Sequence, residues 1–150
     1  MIKKLNKILF NSICILLLIV NSDIAGATSN LGLSDRPVRI GPYQLIENLG
    51  DMVVYADLTS PRPTSSQTLI ASHLVQHEPS TENTRSMVYH QEINCWARTI
   101  ADTKVEHWSG DWGNGEVLLT ETVRRKPQKV GYRSLRSRLV DFFCSNYPSL

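Results

Sequence analysis

The sequence lacks an apolar run long enough for a membrane-spanning helix, and it carries little net charge. A membrane span takes about 20 apolar residues, whereas the longest unbroken apolar run covers residues 13–20. Lys and Arg number 16 against 14 Asp and Glu, a formal charge of +2, which is far less basic than a dedicated nucleic-acid-binding domain. These absences argue against a transmembrane helix and against nucleic acid as a partner.

Glycine, proline and aromatic residues are also few. Eight Gly, seven Pro and 7% aromatic residues exclude collagen-like and low-complexity chains. A chain of 150 residues, 41% of them hydrophobic, has the length and composition of one domain with a single core. Composition therefore bounds the fold and leaves the function open.

The motifs of common hydrolases are missing. The sequence has no Gly-x-Ser-x-Gly turn to present a serine nucleophile. Asp102 and Glu106 form an acidic pair, but carboxylates a few residues apart are common and this pair lacks the context of a glycosidase. We therefore expect a protein that is not an enzyme.

Four histidines raise the question of a metal site. His73 and His77 are four residues apart, a spacing that places two imidazoles on one face of either a helix or a strand and so specifies no coordination geometry. The zinc motif His-Glu-x-x-His is absent. We interpret both residues, with His90 and His107, as surface histidines on strands, and we expect no metal or other cofactor.

The first 27 residues have the pattern of a secretory signal peptide. Three lysines among the first seven residues precede an apolar stretch over residues 8–20, and residues 25–27 are the small residues that signal peptidase requires. A retained amphipathic anchor is the alternative, but it would need polar residues along one face of the stretch. The sequence therefore predicts export, with residues 1–27 removed.

Cleavage would leave a mature chain that begins at Thr28. Its polar start, residues 28–40, is predicted to be a flexible lead-in to a single domain over residues 41–150. Cys14 lacks the small preceding residues of a lipidation site, so we do not expect a lipoprotein. The predicted location is the periplasm, the medium or the cell surface.

Removal of the signal peptide also changes the cysteine and charge counts. Cys95 and Cys144 remain, and in an oxidising compartment a disulfide between them is the favoured interpretation, with two buried reduced thiols as the alternative. Such a bridge would close a loop of about 50 residues and stabilise the fold by on the order of 4 kcal/mol. Three lysines and Asp23 leave with the signal, which takes 16 basic and 14 acidic residues to 13 of each.

Short apolar segments separated by turn signals predict about six strands. Residues 43–49 and 52–58 flank Gly50-Asp51 and indicate a hairpin. Further strands are predicted over residues 68–76, within 85–99, over 103–108 and over 116–123, with a loop at 78–84 and a turn at 110–115.

The pattern then changes to that of one amphipathic helix. Within residues 133–145, an apolar stripe lies opposite a polar side at helical spacing. The stripe consists of Leu135, Leu139, Phe142 and Phe143, and the polar side of Ser134, Ser137, Arg138 and Asp141. We predict an α+β fold in which an antiparallel sheet of about six strands is covered on one face by the C-terminal helix.

This order of features resembles the surface-adhesin protein E family. The resemblance rests on the strand Val54-Tyr55-Ala56-Asp57, the strand Ile93-Asn94-Cys95, the Gly-rich hairpin and the terminal helix with Cys144, and it covers about residues 43–147. It implies a six-stranded antiparallel sheet, a C-terminal helix and one disulfide. Individual residues can be matched only at the two cysteines and Asp57.

The family resemblance also implies a function. The family's named member is a bacterial outer-membrane lipoprotein that attaches to host matrix and plasma proteins, so the resemblance implies a binding module with host matrix proteins as candidate partners. The missing lipidation cysteine departs from that pattern and puts outer-membrane anchoring in doubt.

Seven basic residues form the sharpest charge feature of the chain. They are Arg124, Arg125, Lys126, Lys129, Arg133, Arg136 and Arg138, and no acidic residue lies between Glu121 and Asp141. Clustered cations favour a binding patch for sulfated glycans, acidic proteins or anionic lipids. The alternative is a solvated surface, with the stem of Arg136 along the apolar stripe.

Three tryptophans are candidates for contact or for packing. Trp108 and Trp112 flank a turn and could present aromatic surface to a partner, whereas core packing explains Trp96 better. Together these observations favour a small exported binding module, non-catalytic, that contacts a protein or an acidic polymer. The alternative is a periplasmic structural or inhibitory protein that acts on a cell-envelope component.

Overall fold

A computed structural model describes residues 37–81 and 83–147, which form nine strands, a short 3-10 turn and one α-helix. The strands are β1 (Arg39–Ile40), β2 (Tyr43–Asn48), β3 (Met52–Asp57), β4 (Arg62–Pro63), β5 (Thr68–Thr81), β6 (Thr84–Asn94), β7 (Thr99–Trp108), β8 (Val117–Thr122) and β9 (Gln128–Lys129). The 3-10 turn is Asp111–Gly113, and the helix α1 is Leu135–Asn146. The predicted signal peptide and most of the predicted lead-in lie outside the described residues.

The strands form one antiparallel sheet. Its main order is β1-β2-β3-β5-β6-β7-β8, while β4 pairs with β5 and β9 pairs with β7. The long hairpin β5–β6 lies at the centre and aligns Thr68 with Asn94. The predicted α+β fold is confirmed, with three two-residue strands that the sequence did not indicate. The predicted loop at residues 78–84 was wrong, because β5 continues to Thr81 and β6 begins at Thr84.

Strand β3 is buried on both faces of the sheet. Its residues Val53, Val54, Tyr55 and Ala56 are all 0–1% exposed, and β-branched and aromatic residues of this kind favour a central strand. Because side chains alternate along a strand, Val54 and Ala56 join the helix-side core while Val53 and Tyr55 join a second cluster. Side chains of other elements therefore pack against both faces of the sheet.

The main core lies between the sheet and α1. Leu139, Val140 and Phe143 of the helix contact strand residues such as Ile93 and Ile100. The helix begins at a conventional cap, in which the Ser134 hydroxyl accepts a hydrogen bond from the Ser137 amide at 3.1 Å. This packing places the basic residues that precede and open the helix at one end of the sheet.

One residue assigned to the polar side of the helix is buried. Ser137 is 6% exposed, because its hydroxyl accepts a hydrogen bond from Arg98 at 3.3 Å and donates one to Asp141 at 3.3 Å. The helix therefore buries a wider face than its apolar stripe alone.

The opposite side of the sheet holds the second, smaller cluster. Tyr55, Val53 and Leu74 are covered there by partly buried residues that include Ile40 and Trp112. The turn that carries Trp112 is fixed by hydrogen bonds from its backbone to the buried side chains of Gln76 and Ser86. The last two residues of the predicted flexible lead-in form β1.

A disulfide joins Cys95 and Cys144, 49 residues apart. It ties the turn that follows β6 to the last part of α1, and it confirms the favoured interpretation of Cys95 and Cys144. In the described part of the chain, no helix combines the length and apolarity needed to cross a membrane.

Candidate functional site

The segment that carries the seven predicted basic residues, 124–138, is called the basic segment. It runs along β7 toward one end of the sheet. Gln128 and Lys129 pair with Ile100 and Thr99, and the Val130 amide donates a hydrogen bond to the Arg98 carbonyl at 3.2 Å. The segment therefore ends beside the turn between β6 and β7, residues 95–98, and then enters α1.

The seven predicted basic residues divide into two groups. Arg136 donates a hydrogen bond to Asp102 at 2.6 Å, and Arg138 pairs with Glu47 at 2.7 Å. Arg125 lies 3.9 Å from the same Asp102 carboxylate. Their partners are largely buried, so these three arginines contribute to the stability of the fold.

The other four basic residues face solvent. Arg124, Lys126, Lys129 and Arg133 are exposed, and none of them has a carboxylate within 4 Å among residues 37–77 and 83–147. Arg124 and Lys126 follow β8, while Lys129 and Arg133 lie near the start of α1. This group leaves a positive surface that no acidic side chain of the described chain neutralises.

Trp96 is 80% exposed, so the prediction that it packs in the core was wrong. Strand β6 ends at Asn94, and the chain turns away from the sheet directly after Cys95. The Asn94 side chain accepts a hydrogen bond from the Ala97 amide at 2.7 Å, and the disulfide holds the start of the same turn. Trp96 is thus an exposed indole on a tightly held turn.

Tyr132 is a second exposed aromatic residue at the same end of the sheet. It is 87% exposed, and the Arg133 guanidinium lies 5.1 Å from the centre of its ring, within the range of a cation–π contact. The hydrogen bond from Val130 to Arg98 brings this loop beside the turn of Trp96. The exposed set Trp96, Arg124, Lys126, Lys129, Tyr132 and Arg133 extends from this turn along β7 to the level of Thr103. We call it the aromatic–basic end.

The two tryptophans predicted as contact residues are more buried than Trp96. Trp112 packs edge-on against Tyr55, with 5.1 Å between ring centres. Trp108 closes β7 and is partly buried, and its indole nitrogen is a buried donor without a partner in the described part of the chain. Aromatic contact surface is therefore greater at Trp96 and Tyr132 than at the predicted pair.

A row of buried polar side chains crosses the helix side of the sheet. Gln91 accepts a hydrogen bond at 2.9 Å from His73 and donates one at 2.7 Å to Asp102, which in turn accepts from Arg136. His73, Gln91 and Asp102 are 5%, 1% and 4% exposed. The prediction of a surface histidine was therefore wrong for His73, because α1 covers this part of the sheet.

His73 is neutral in this row. The Gln91 amide nitrogen donates to Asp102, so its oxygen must accept the hydrogen carried by His73 Nδ1. The imidazole is also stacked on Tyr89, with 4.8 Å between ring centres. Burial lowers the pKa of His73 to about 4, although the hydrogen bond that His73 donates to Gln91 acts in the opposite direction.

The low pKa of His73 makes the stability of the fold depend on pH. The folded pKa of about 4 lies below the ordinary value of 6.5, so the unfolded chain binds more protons between these values and stability falls as the pH drops through that window. We expect a loss of about 3 kcal/mol from this group when the pH falls from 7 to 4. Urea denaturation at several pH values measures it. His73→Phe should flatten the dependence between pH 5 and 6.5, and an unchanged slope in that variant would contradict the assignment.

The acidic pair considered from the sequence is separated by the fold. Asp102 belongs to the buried row on the helix side, while Glu106 accepts a hydrogen bond from Lys104 at 2.7 Å and lies 3.4 Å from His90. His107 instead contacts Glu121 at 3.0 Å. The described residues contain no group of three or more His, Cys, Asp or Glu side chains placed to hold a metal ion.

Asp57, the third residue matched through the family resemblance, closes strand β3. Its carboxylate accepts hydrogen bonds from the amide and the hydroxyl of Thr59, at 2.8 and 2.7 Å. This is an Asx-type turn, and it gives Asp57 a structural role.

Comparisons with known proteins agree with this geometry. The family model Surface-adhesin protein E matches residues 43–145. The selenomethionine form of Haemophilus influenzae protein E is 15% identical, with 75% of this chain and 93% of that chain covered and a TM-score of 0.58. Its crystal form II is 17% identical, with 74% and 94% covered and a TM-score of 0.57.

A structure of protein E from non-typeable Haemophilus influenzae is also similar, at 14% identity, with 74% of this chain and 81% of that chain covered and a TM-score of 0.53. No curated protein sequence matches the chain. The structural likeness shows the shared fold, and the family model covers more than half of the chain. The resemblance noted from the sequence is confirmed: the chain belongs to the surface-adhesin protein E family.

Proposed function

We propose that this protein is an exported, non-catalytic binding module that contacts an acidic polymer or an acidic protein surface through its aromatic–basic end. Membership of a surface-adhesin family supports a binding role and a location outside the cytoplasm. The observation that carries the choice of surface is the exposure of Trp96 on a held turn, next to cations that have no acidic partner in the described chain.

The chemistry of this end suits a negatively charged partner. Arg124, Lys126, Lys129 and Arg133 raise the local potential without an acidic neighbour, although the mature chain has no net charge. Trp96 and Tyr132 add apolar area, and tryptophan, tyrosine and arginine are the residues that most often dominate binding energy at interfaces. Because the disulfide and the Asn94 side chain hold the turn of Trp96, little conformational entropy is lost when a partner binds there.

Retention on immobilised heparin tests this proposal with a defined anionic polymer. We expect the oxidised protein to bind at low salt and to elute as the salt concentration rises, because counterions screen the contacts. Arg124→Glu/Lys126→Glu should elute at clearly lower salt. The matched double reversal Arg39→Glu/Arg62→Glu, on strands at the other side of β5, should elute within a small margin of the unmodified protein.

Two results would contradict the proposed surface: no retention at any salt concentration, or equal losses in the test and control variants. Protease treatment of intact cells distinguishes the proposed role from the periplasmic alternative. An adhesive module at the cell surface is cleaved or shed, whereas a periplasmic structural or inhibitory protein is protected until the outer membrane is opened.

A further inference from the structure

A cavity of about 250 Å³ lies between the sheet and the first half of α1. Met52 and Val75 of the sheet and Leu135 and Leu139 of the helix form its apolar wall. A cavity of about 150 Å³ holds benzene, so by proportion this one has room for roughly ten non-hydrogen atoms. The space matches a small organic molecule better than a polymer chain.

The opposite wall is the buried polar row, in which His73 has one ring nitrogen left for a ligand. Asp102 accepts hydrogen bonds from Gln91 and Arg136, and His73 gives its Nδ1 hydrogen to Gln91. The remaining ring nitrogen of His73, Nε2, is an acceptor with no hydrogen-bond partner in the described part of the chain. His73 lines the cavity and is 5% exposed. This acceptor is therefore available to a hydrogen-bond donor on a ligand in the cavity.

The charges of the polar wall select for a neutral ligand. The Asp102 carboxylate and the Arg136 guanidinium lie 2.6 Å apart and neutralise each other, and the His73 ring carries no charge. An anionic ligand would lie near Asp102 and a cationic ligand near Arg136, and each would lose its hydration on entry. A neutral molecule avoids both penalties.

We propose that this cavity is a binding site for a small neutral molecule with an apolar body and one hydroxyl group, which donates a hydrogen bond to His73 Nε2. The aliphatic side chains contact the apolar body, and the acceptor on His73 orients the hydroxyl. A phenol of modest size satisfies the volume, the charge and the single donor. This site is separate from the aromatic–basic end and does not rest on the proposed function.

Binding of p-cresol and toluene to the purified oxidised protein tests the site, because the two probes differ only in the hydroxyl group. Methyl resonances of Val75, Leu135 and Leu139 in NMR spectra report occupancy of the cavity. We expect saturable shifts with p-cresol, and an affinity at least tenfold higher than that for toluene. His73→Phe keeps a flat ring against Tyr89 but removes the acceptor. It should lower the affinity for p-cresol about tenfold and change the affinity for toluene less than twofold.

A second variant keeps the test decisive if His73→Phe does not fold. Leu135 is half-buried at the cavity, so Leu135→Trp should fill it and abolish binding of both probes, while Leu119→Trp on the exposed strand β8 should change neither affinity. The proposal would be overturned if these methyl groups showed no saturable shifts. It would also be overturned if His73→Phe lowered the affinity for p-cresol and for toluene equally. Heparin retention should be the same in Leu135→Trp as in the unmodified protein, so failure of one proposal leaves the other intact.

Discussion

Reduction of the Cys95–Cys144 disulfide should lower the free energy of unfolding by about 4 kcal/mol. The bridge joins residues 49 apart, and in the chain-entropy model it acts by restricting the unfolded chain. A domain of this size is usually stable by about 5–15 kcal/mol, so the loss is a large share of the total. Urea denaturation with and without reductant measures it, and the slope of the transition should rise because the reduced unfolded chain exposes more surface.

The double variant Cys95→Ser/Cys144→Ser provides the control for this experiment. It should show the same loss of stability as the reduced protein, and reductant should then have no further effect. A loss below about 1 kcal/mol, or alkylation of two thiols in the folded and oxidised protein, would contradict the role given to the bridge.

Arg136→Met should destabilise the protein by about 3 kcal/mol, because it leaves the Asp102 carboxylate buried without its main partner. The substitution keeps much of the apolar stem of the arginine, so the effect reports the charge more than the packing. Asp102 is 4% exposed and also holds Gln91 in place, so the loss should extend to the whole buried row. Thermal or urea unfolding at pH 7 measures the change.

Arg98→Met is the matched control for the buried ion pair. Arg98 contacts Asp141 at 2.6 Å, the same distance as Arg136 to Asp102, but the Asp141 side chain is 54% exposed against 5% for Asp102. Exposed pairs contribute at most about 1 kcal/mol, so this variant should lose far less stability. Equal losses in the two variants would contradict the claim that burial sets the energy of the Asp102 pair.

The elements that were predicted well from the sequence are those whose pattern lies in neighbouring residues. The apolar run of β3 and the helical stripe of Leu135, Leu139 and Phe143 are local patterns, and each element formed where its pattern indicated. The disulfide could also be predicted, because removal of a predicted signal peptide leaves two cysteines and one way to pair them. The continuation of β5 beyond residue 76 was not predicted, because the polar residues there show no alternation of apolar and polar side chains.

The features that escaped prediction depend on residues far apart in the chain. The buried row joins His73 to Gln91 across 18 residues, Gln91 to Asp102 across 11 and Asp102 to Arg136 across 34. No pattern within one segment marks these residues as neighbours, because three strands and a helix must first come together. Sequence alone therefore predicted a surface histidine where the fold builds a buried polar network.

The contacts of the basic segment could not be predicted from the sequence either. Its charges were evident in the sequence, but Arg136 and Arg138, two residues apart on α1, have partners on different strands, Asp102 on β7 and Glu47 on β2. Likewise, the exposure of Trp96 depends on the residue at which β6 ends, and strand ends are poorly marked by local pattern. In the structure, three of the seven candidate cations lie within 4 Å of a carboxylate, and Trp96 is more exposed than either candidate tryptophan.

Hydrogen–deuterium exchange of the oxidised protein, with and without heparin, tests the proposed binding surface most directly. We expect slower exchange in residues 95–98 and 124–133 when heparin is bound, and unchanged exchange in the exposed edge strand β8. Protection confined to β8, or no protection at the aromatic–basic end under conditions in which the protein is retained on heparin, would contradict the central claim.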